Sequence, residues 1–404
     1  LEEMVEIQGA GKAMILRKIT LPLVLPAILS AVILTFSKAI GTFGTINYLG
    51  SPVQYYTLSS QLYMNINSRD TQTGFAMAIL MIIIASIAVF VNQKLIGSRK
   101  SYATIGGKGG RSTLIGLGKV GRPVITAALF VFFAVGIIMP IVILVMESFM
   151  LKEGIYSLDN FTLHYWIGES NPQIMEGLPG IFKNDEFINS LFNSLRLTLV
   201  NGVFGTIFGQ LLGYITAKGR GRLHGKLVEQ LVFIPYLIPS VAFGGIYLSM
   251  FSQPQQIFGV TLVPALYGTF ALLTLVSVVK HLPFAARAGT SNMLQISGEL
   301  EEAATIEGAG FFRRFVKIVF PLSKGGFISG FMLIFVSIMK ELDLIILIMT
   351  PTTSTLPYLA FRYQNGNSPQ ASDCVAIVMF SIVFLVYAIA NLSGKADLAK
   401  SMAG

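Results

Sequence analysis

The sequence predicts an all-α polytopic membrane bundle of about eight spans. Three features carry that prediction: long apolar runs, scarce charge, and an alternation of basic with non-basic loops. Of 404 residues, 53% are hydrophobic and 12% charged, and the mean hydropathy is +0.69. Soluble domains carry roughly 25% charge. The apolar residues gather in runs of about 20, the length that crosses a ~30 Å hydrocarbon core as helix. Backbone groups in lipid must bond within their own segment, so such runs read as helices. The short alternating segments of an outer-membrane barrel are absent.

The runs fall near 21–45, 73–96, 123–148, 191–217, 228–252, 259–282, 322–347 and 374–393. Several hold proline, as at Pro26, Pro140, Pro235 and Pro239, which membrane helices tolerate. Before the first run come Lys12, Arg17 and Lys18, and after the second come Lys94, Arg99, Lys100, Lys108, Arg111, Lys119 and Arg122. Lys218, Arg220, Arg222 and Lys226, and then Arg287, Arg313, Arg314, Lys317 and Lys324, mark further basic loops. The stretch 149–188 is instead acidic, and 253–258 carries no charge. The positive-inside rule then places the basic loops and both ends of this chain in the cytoplasm.

The net charge of +9 is thereby explained by topology. No basic face with interleaved stacking aromatics points to nucleic acid. The single cysteine, Cys374, excludes an intrachain disulfide framework. His164, His224 and His281 are too far apart in sequence for metal-ligand spacing. No nucleophile–base pair or carboxylate dyad can be placed, so the chain reads as a non-enzyme without a metal or cofactor of its own. Residues 97–122 read as a cytoplasmic linker. Within them, Gly106-Gly107-Lys108-Gly109-Gly110 imitates a phosphate-binding loop, but glycine follows Lys108 and no strand precedes it.

The functional signal is a repeat. Residues 1–23 read LEEMVEIQGAGKAMILRKITLPL and 300–322 read LEEAATIEGAGFFRRFVKIVFPL, identical at about half of the positions without a gap. Each copy precedes an apolar run. Each opens with helix formers, reaches Gly-Ala-Gly at Gly9 and Gly11 or at Gly308 and Gly310, and meets proline at Pro22 or Pro321. Glycine ends helices by taking positive φ, and proline suits an early helix position. The expected form is helix, sharp turn, helix: a knob too short to fold alone and suited to docking in a partner's cleft.

This spacing resembles the cytoplasmic EAA loop of ATP-binding-cassette importer permeases of the type I fold, whose pattern is Glu-Ala-Ala, three residues, Gly, nine residues, Ile, one residue, Leu-Pro. The second copy supplies Glu302, Ala303, Ala304, Gly308, Ile318 and Phe320-Pro321; the first supplies Glu3, Met4, Val5, Gly9, Ile19 and Leu21-Pro22. The resemblance implies that each loop docks on a cytoplasmic ATPase dimer. ATP and Mg would sit on that partner, and its closure would switch the spans between inward- and outward-facing states. It also implies an extracytoplasmic solute-binding protein and a bacterial plasma (inner) membrane location. Two loops imply two fused permease halves: 1–96 as the C-terminal part of the first, whose earlier spans would precede Leu1, and 123–404 as the second, with its transport core at about 190–393.

Fused permeases of this kind resemble the branch that handles ferric iron, with relatives for thiamine, phosphonate, sugar phosphate and polyamine. Lys340-Glu341-Leu342 leading to Thr355-Leu356 resembles a ferric-permease segment, although Asp343-Leu344-Ile345 stands where Pro-Ala-Thr is usual. Charges within spans are costly and mark pathways. Lys38, Lys340, Glu341 and Asp343 are therefore candidate pathway residues, or a mutually paired set of Lys340 with Glu341 or Asp343. Arg196, Glu229, Lys280 and His281 lie near expected span ends and read as interfacial. The rival reading is an ion-coupled secondary carrier that uses Lys38, Glu341 and Asp343 as a relay.

Overall fold

Apolar stretches punctuated by glycine and proline fold as long helices that break where those residues fall. The structure is a computed structural model that describes Gly9, residues 11–97 and residues 118–392. Glu3 and most of the expected linker lie outside the described residues. The helices are α1 (Leu21–Gly41), α2 (Gly44–Gly50), α3 (Leu58–Asn67), α4 (Thr71–Gly97), α5 (Gly118–Glu147), α6 (Asp185–Lys218), α7 (Leu223–Leu237) and α8 (Ser240–Phe251). After a hairpin of β1 (Gln255–Ile257) and β2 (Val260–Val263) come α9 (Phe270–Met293), α10 (Gly298–Ile306), α11 (Phe311–Leu322), α12 (Lys324–Met339), α13 (Leu356–Asn365) and α14 (Pro369–Leu392).

Among the described residues five helices are long and apolar enough to cross a membrane: Thr71–Ala88 of α4, then α5, α6, α9 and α14. Two bent pairs bring the number to seven: α7 with α8, bent by 98°, and α11 with α12, bent by 76°. The 21-residue α1 covers the remaining expected run.

The run at 228–252 is thus not one straight span, because Pro235 and Pro239 remove backbone donors around Ile238. The run at 259–282 is displaced. Its first residues, Val260–Val263, form β2, antiparallel to β1. The helix starts only after Gly268, at φ +79°, and the Thr269 cap, whose hydroxyl accepts from Leu272 N at 3.3 Å. β-branched residues beside the Phe258-Gly259 turn favour a strand pair over a first helical turn. The run at 21–45 ends its helix at Gly41, and the run at 322–347 ends its helix at Met339.

α6 and α9 form the centre of the bundle. A Cβ on Gly209 of α6 would lie 2.3 Å from Ala285 Cβ of α9, so the close crossing requires glycine there, as small residues permit in membrane helices. Leu197, Val276, Ile334, Ile338, Leu344 and Ile345 fill the core between α6, α9, α12 and the irregular stretch after it. That stretch is fastened to α6: Leu356 N donates to Ser194 Oγ at 2.7 Å, and Asn193 Nδ2 donates to Ser354 O at 3.0 Å. A second core joins the N-terminal elements to it through Phe43, Leu62, Met81, Val241, Leu342 and Phe361.

The acidic stretch between α5 and α6 folds on short turns. Asn160 is held by its own loop, its amide donating to the Lys152 and Ile155 carbonyls at 2.7 and 2.8 Å. The Lys183 ammonium hydrogen-bonds Glu169 and holds its carboxyl below the ordinary range.

Candidate functional site

Two sites emerge. The first is the elbow between α10 and α11. Ser297 caps α10, its Oγ accepting from Glu299 N at 3.3 Å. Gly308 ends the elbow's first arm at φ +78°. Gly308 N donates to Thr305 O at 3.0 Å and Ala309 N to Ala304 O at 2.9 Å, the paired bonds that close a helix through a left-handed glycine. Arg314 reaches back to Thr305 and ties the arms together. In the first copy Gly9 has φ +86°.

Gly11 and Gly310 differ from expectation. Neither has positive φ, and a Cβ on either would meet nothing within 4 Å. Only the first glycine of each Gly-Ala-Gly makes the turn, because one left-handed residue suffices.

Beyond the turn the two copies follow the same order of turns as far as the proline. Lys12–Ile15 and Phe311–Arg314 are single α turns, followed by π turns at Leu16–Thr20 and Phe315–Val319. Leu21 N bonds Leu16 O, and Phe320 N bonds Phe315 O. Pro22 and Pro321 follow at once, and the widened turn absorbs the ring that would clash with a regular helix.

The anchor of the elbow is Glu301, not the motif residue Glu302. Glu301 is buried. Its Oε2 accepts from Tyr214 Oη at 2.6 Å, and its Oε1 lies 2.6 Å from Lys218 Nζ, both at the end of α6. Glu302 and Ala303 are exposed, and Ala304 is half-buried. Helical spacing sets Glu301 and Glu302 on different faces, but which of the two is buried depends on the approach of Tyr214 and Lys218. The free face carries Leu300, Ile306, Phe312 and Val316; Ile306 is 86% and Phe312 81% exposed.

The second site gathers charge around the break between α7 and α8. Lys280 and His281 are buried in the middle of α9, not interfacial, because α9 begins eleven residues later than the apolar run. The Lys280 ammonium donates to the carbonyls of Pro235, at 2.9 Å, and Ile238. These are groups that the break releases from helical bonding. His281 Nδ1 faces Ser277 O at 2.9 Å, and Nε2 lies 3.4 Å from Glu341 Oε2. Glu341 Oε1 accepts from Leu344 N at 2.9 Å. Asp343 accepts from Phe43 N at 3.1 Å and Gly44 N at 2.9 Å. The Lys38 ammonium stands 5.3 Å from the Tyr236 ring centre and 5.8 Å from that of Phe284.

Of the four candidate pathway residues, Glu341 pairs with His281, Asp343 binds the Phe43 and Gly44 amides, Lys38 stands against Tyr236 and Phe284, and Lys340 is exposed. Lys340 pairs with neither carboxylate among the described residues, because Glu341 and Asp343 take a histidine and backbone amides as partners. All three of Lys340, Glu341 and Asp343 lie past the end of α12 rather than in a span helix. Among the described residues no three His, Cys, Asp or Glu side chains converge to hold a metal ion.

Comparison with known proteins adds a family. The family described as binding-protein-dependent transport system inner membrane component matches residues 1–102 and 205–396. A ferric transport system permease protein of Actinobacillus pleuropneumoniae is 22% identical over 95% of this chain and 53% of its own length. A sulfate transport system permease protein of Synechocystis sp. is 26% identical over 50% of this chain and 71% of its own. A molybdate/tungstate transport system permease protein of Thermococcus kodakarensis is 28% identical over 50% and 76%. The chain spans about half the length of the ferric permease it matches. Among solved structures, a bacterial ABC transporter involved in the import of the acidic polysaccharide alginate superposes with a TM-score of 0.53 at 16% identity, over 67% of this chain and 94% of that one; this similarity shows the fold.

Proposed function

Since the chain belongs to the family of binding-protein-dependent transport system inner membrane components, we propose that it is the permease subunit of an ATP-driven importer in a bacterial inner membrane. In this reading two fused halves, meeting around Asp343 and Gly44, form the pathway. The repeated elbows face the cytoplasm and carry force from a separate ATPase dimer that binds ATP and Mg. An extracytoplasmic binding protein delivers the solute.

One observation carries the proposal. The elbow at Gly308 is anchored from one side by Glu301 and presents Ile306 and Phe312 to the exterior on the other. An anchored knob with an exposed apolar face is suited to transmit motion between a docking cleft and α6, the helix at the bundle's centre. Exposed apolar clusters of this kind mark interaction surfaces.

Ferric iron is the solute reading we favour within the family. The ferric relatives align over 95% and 89% of this chain. The sulfate and molybdate/tungstate relatives cover about half.

The test is the elbow's outer face. Ile306→Asp and Phe312→Asp are to be introduced into the chain expressed with its ATPase. The expected result is normal membrane insertion with loss of copurifying ATPase and of binding-protein-stimulated ATP hydrolysis. Undiminished copurification in the double variant refutes the coupling role.

A further inference from the structure

The importer reading leaves open what charge the pathway accepts, and the cluster at the break between α7 and α8 bears on it. His281 Nδ1 faces a carbonyl at 2.9 Å. A carbonyl only accepts, so Nδ1 carries a proton. Nε2 then meets the Glu341 carboxyl at 3.4 Å. Without a proton between them two lone pairs would oppose each other, so the pair holds one shared proton and has no net charge. Both oxygens of Asp343 accept from backbone amides, so its side chain is taken up by the Phe43–Gly44 backbone and not by a lysine. Lys280 is a buried cation held by two carbonyls.

Each of these groups has a partner close by, and Lys38 stands apart from them. Its ammonium has no carboxylate partner among the described residues. It stands against Tyr236 and Phe284, facing the cluster from α1. Ring faces orient a cation without cancelling its charge. Lys38 is exposed, unlike Lys280, so its charge is offered to whatever passes between α1, α7 and α9.

We propose that Lys38 makes this section of the pathway an anion-selective site. The translocated species is an oxyanion or an anionic ferric complex rather than a bare metal cation. The proposal rests on the importer reading and names the substrate class of that pathway. A bare ferric ion would meet an uncompensated ammonium, and among the described residues no set of three metal-ligating side chains converges to receive it.

Charge-bearing thiol reagents test this whatever the solute is. The only cysteine in the sequence, Cys374, is buried and is replaced by Cys374→Ser. Thr42→Cys then supplies a thiol beside Lys38, since Thr42 Oγ1 already bonds the Lys38 carbonyl at 3.2 Å. The full chain, assembled with its ATPase and binding protein in membrane vesicles, is treated with methanethiosulfonates bearing a sulfonate or a trimethylammonium group. Relative to a free thiol, the sulfonate reagent is expected to be favoured by about tenfold or more. The preference should collapse in Lys38→Gln and persist in Lys38→Arg. A preference for the cationic reagent, a ratio unmoved by Lys38→Gln, or no reaction with either reagent overturns the proposal.

Uptake of labelled molybdate and of ferric citrate distinguishes the two sources of anion, and wild-type uptake by Lys38→Glu also overturns it. Failure of the importer reading appears elsewhere, as ATP hydrolysis that the binding protein does not stimulate.

Discussion

The Asp343 carboxylate closes on Gly44: Oδ1 accepts from Gly44 N at 2.9 Å, while Oδ2 accepts from Phe43 N at 3.1 Å. The two residues are 299 apart, the same offset that carries Leu1 onto Leu300 in the repeat. Equivalent positions of a duplicated sequence thus meet each other, and the carboxylate sits at the N-terminus of α2, where amides lack helical partners.

Removing that carboxylate should loosen the join between the N-terminal elements and the rest. Asp343→Ala leaves two part-buried amides unsatisfied and is expected to lower stability by about 3 kcal/mol. Asp343→Asn, which keeps one acceptor, should lower it by less. Thermal unfolding of the purified complex in detergent measures both, and an unchanged midpoint for the alanine variant contradicts the role.

The elbow glycines should separate cleanly. Gly308 is left-handed, so Gly308→Ala is expected to cost about 1–2 kcal/mol locally and to reduce transport. Gly310→Ala should be neutral, because Gly310 has ordinary φ and open space around it. Transport assays on the two single variants decide it; equal defects would mean that the second glycine serves the partner rather than the turn.

Adjacent glutamates should also differ. Glu301→Ala strands Lys218 and the Tyr214 hydroxyl at a part-buried site and should cost about 2–3 kcal/mol. Faster proteolysis in the elbow would reveal the loosened anchor. Glu302→Ala should leave proteolysis unchanged and act only through ATPase coupling, since Glu302 is exposed.

Lys280 holds the broken helix together. Lys280→Met frees the carbonyls of Pro235 and Ile238 and leaves the carboxylate side of the cluster less balanced, at an expected cost of about 3–5 kcal/mol. Glu341→Gln in the same chain should recover part of that loss. A double-mutant cycle on thermal unfolding reads the coupling, and strict additivity would separate the two residues.

The local sequence largely determined the elbow and the helical class. Apolar run length forces helices in lipid, and the duplicated pattern carries its own turn, so Gly308 and its equivalent Gly9 were legible from residue order alone. The ends of the spans were less so. The run at 259–282 mixes strand and helix residues, and hydropathy alone does not distinguish them; the misplaced boundary then turned Lys280 and His281 into apparent interfacial residues. Only the tertiary structure chose Glu301 over Glu302, joined His281 to Glu341 from a separate segment of chain, set Lys38 against Tyr236 and Phe284, and closed Asp343 on Gly44. Apolar burial depends on composition within a segment, which a sequence states directly. The partner of a buried charge depends on which segments the packing brings together.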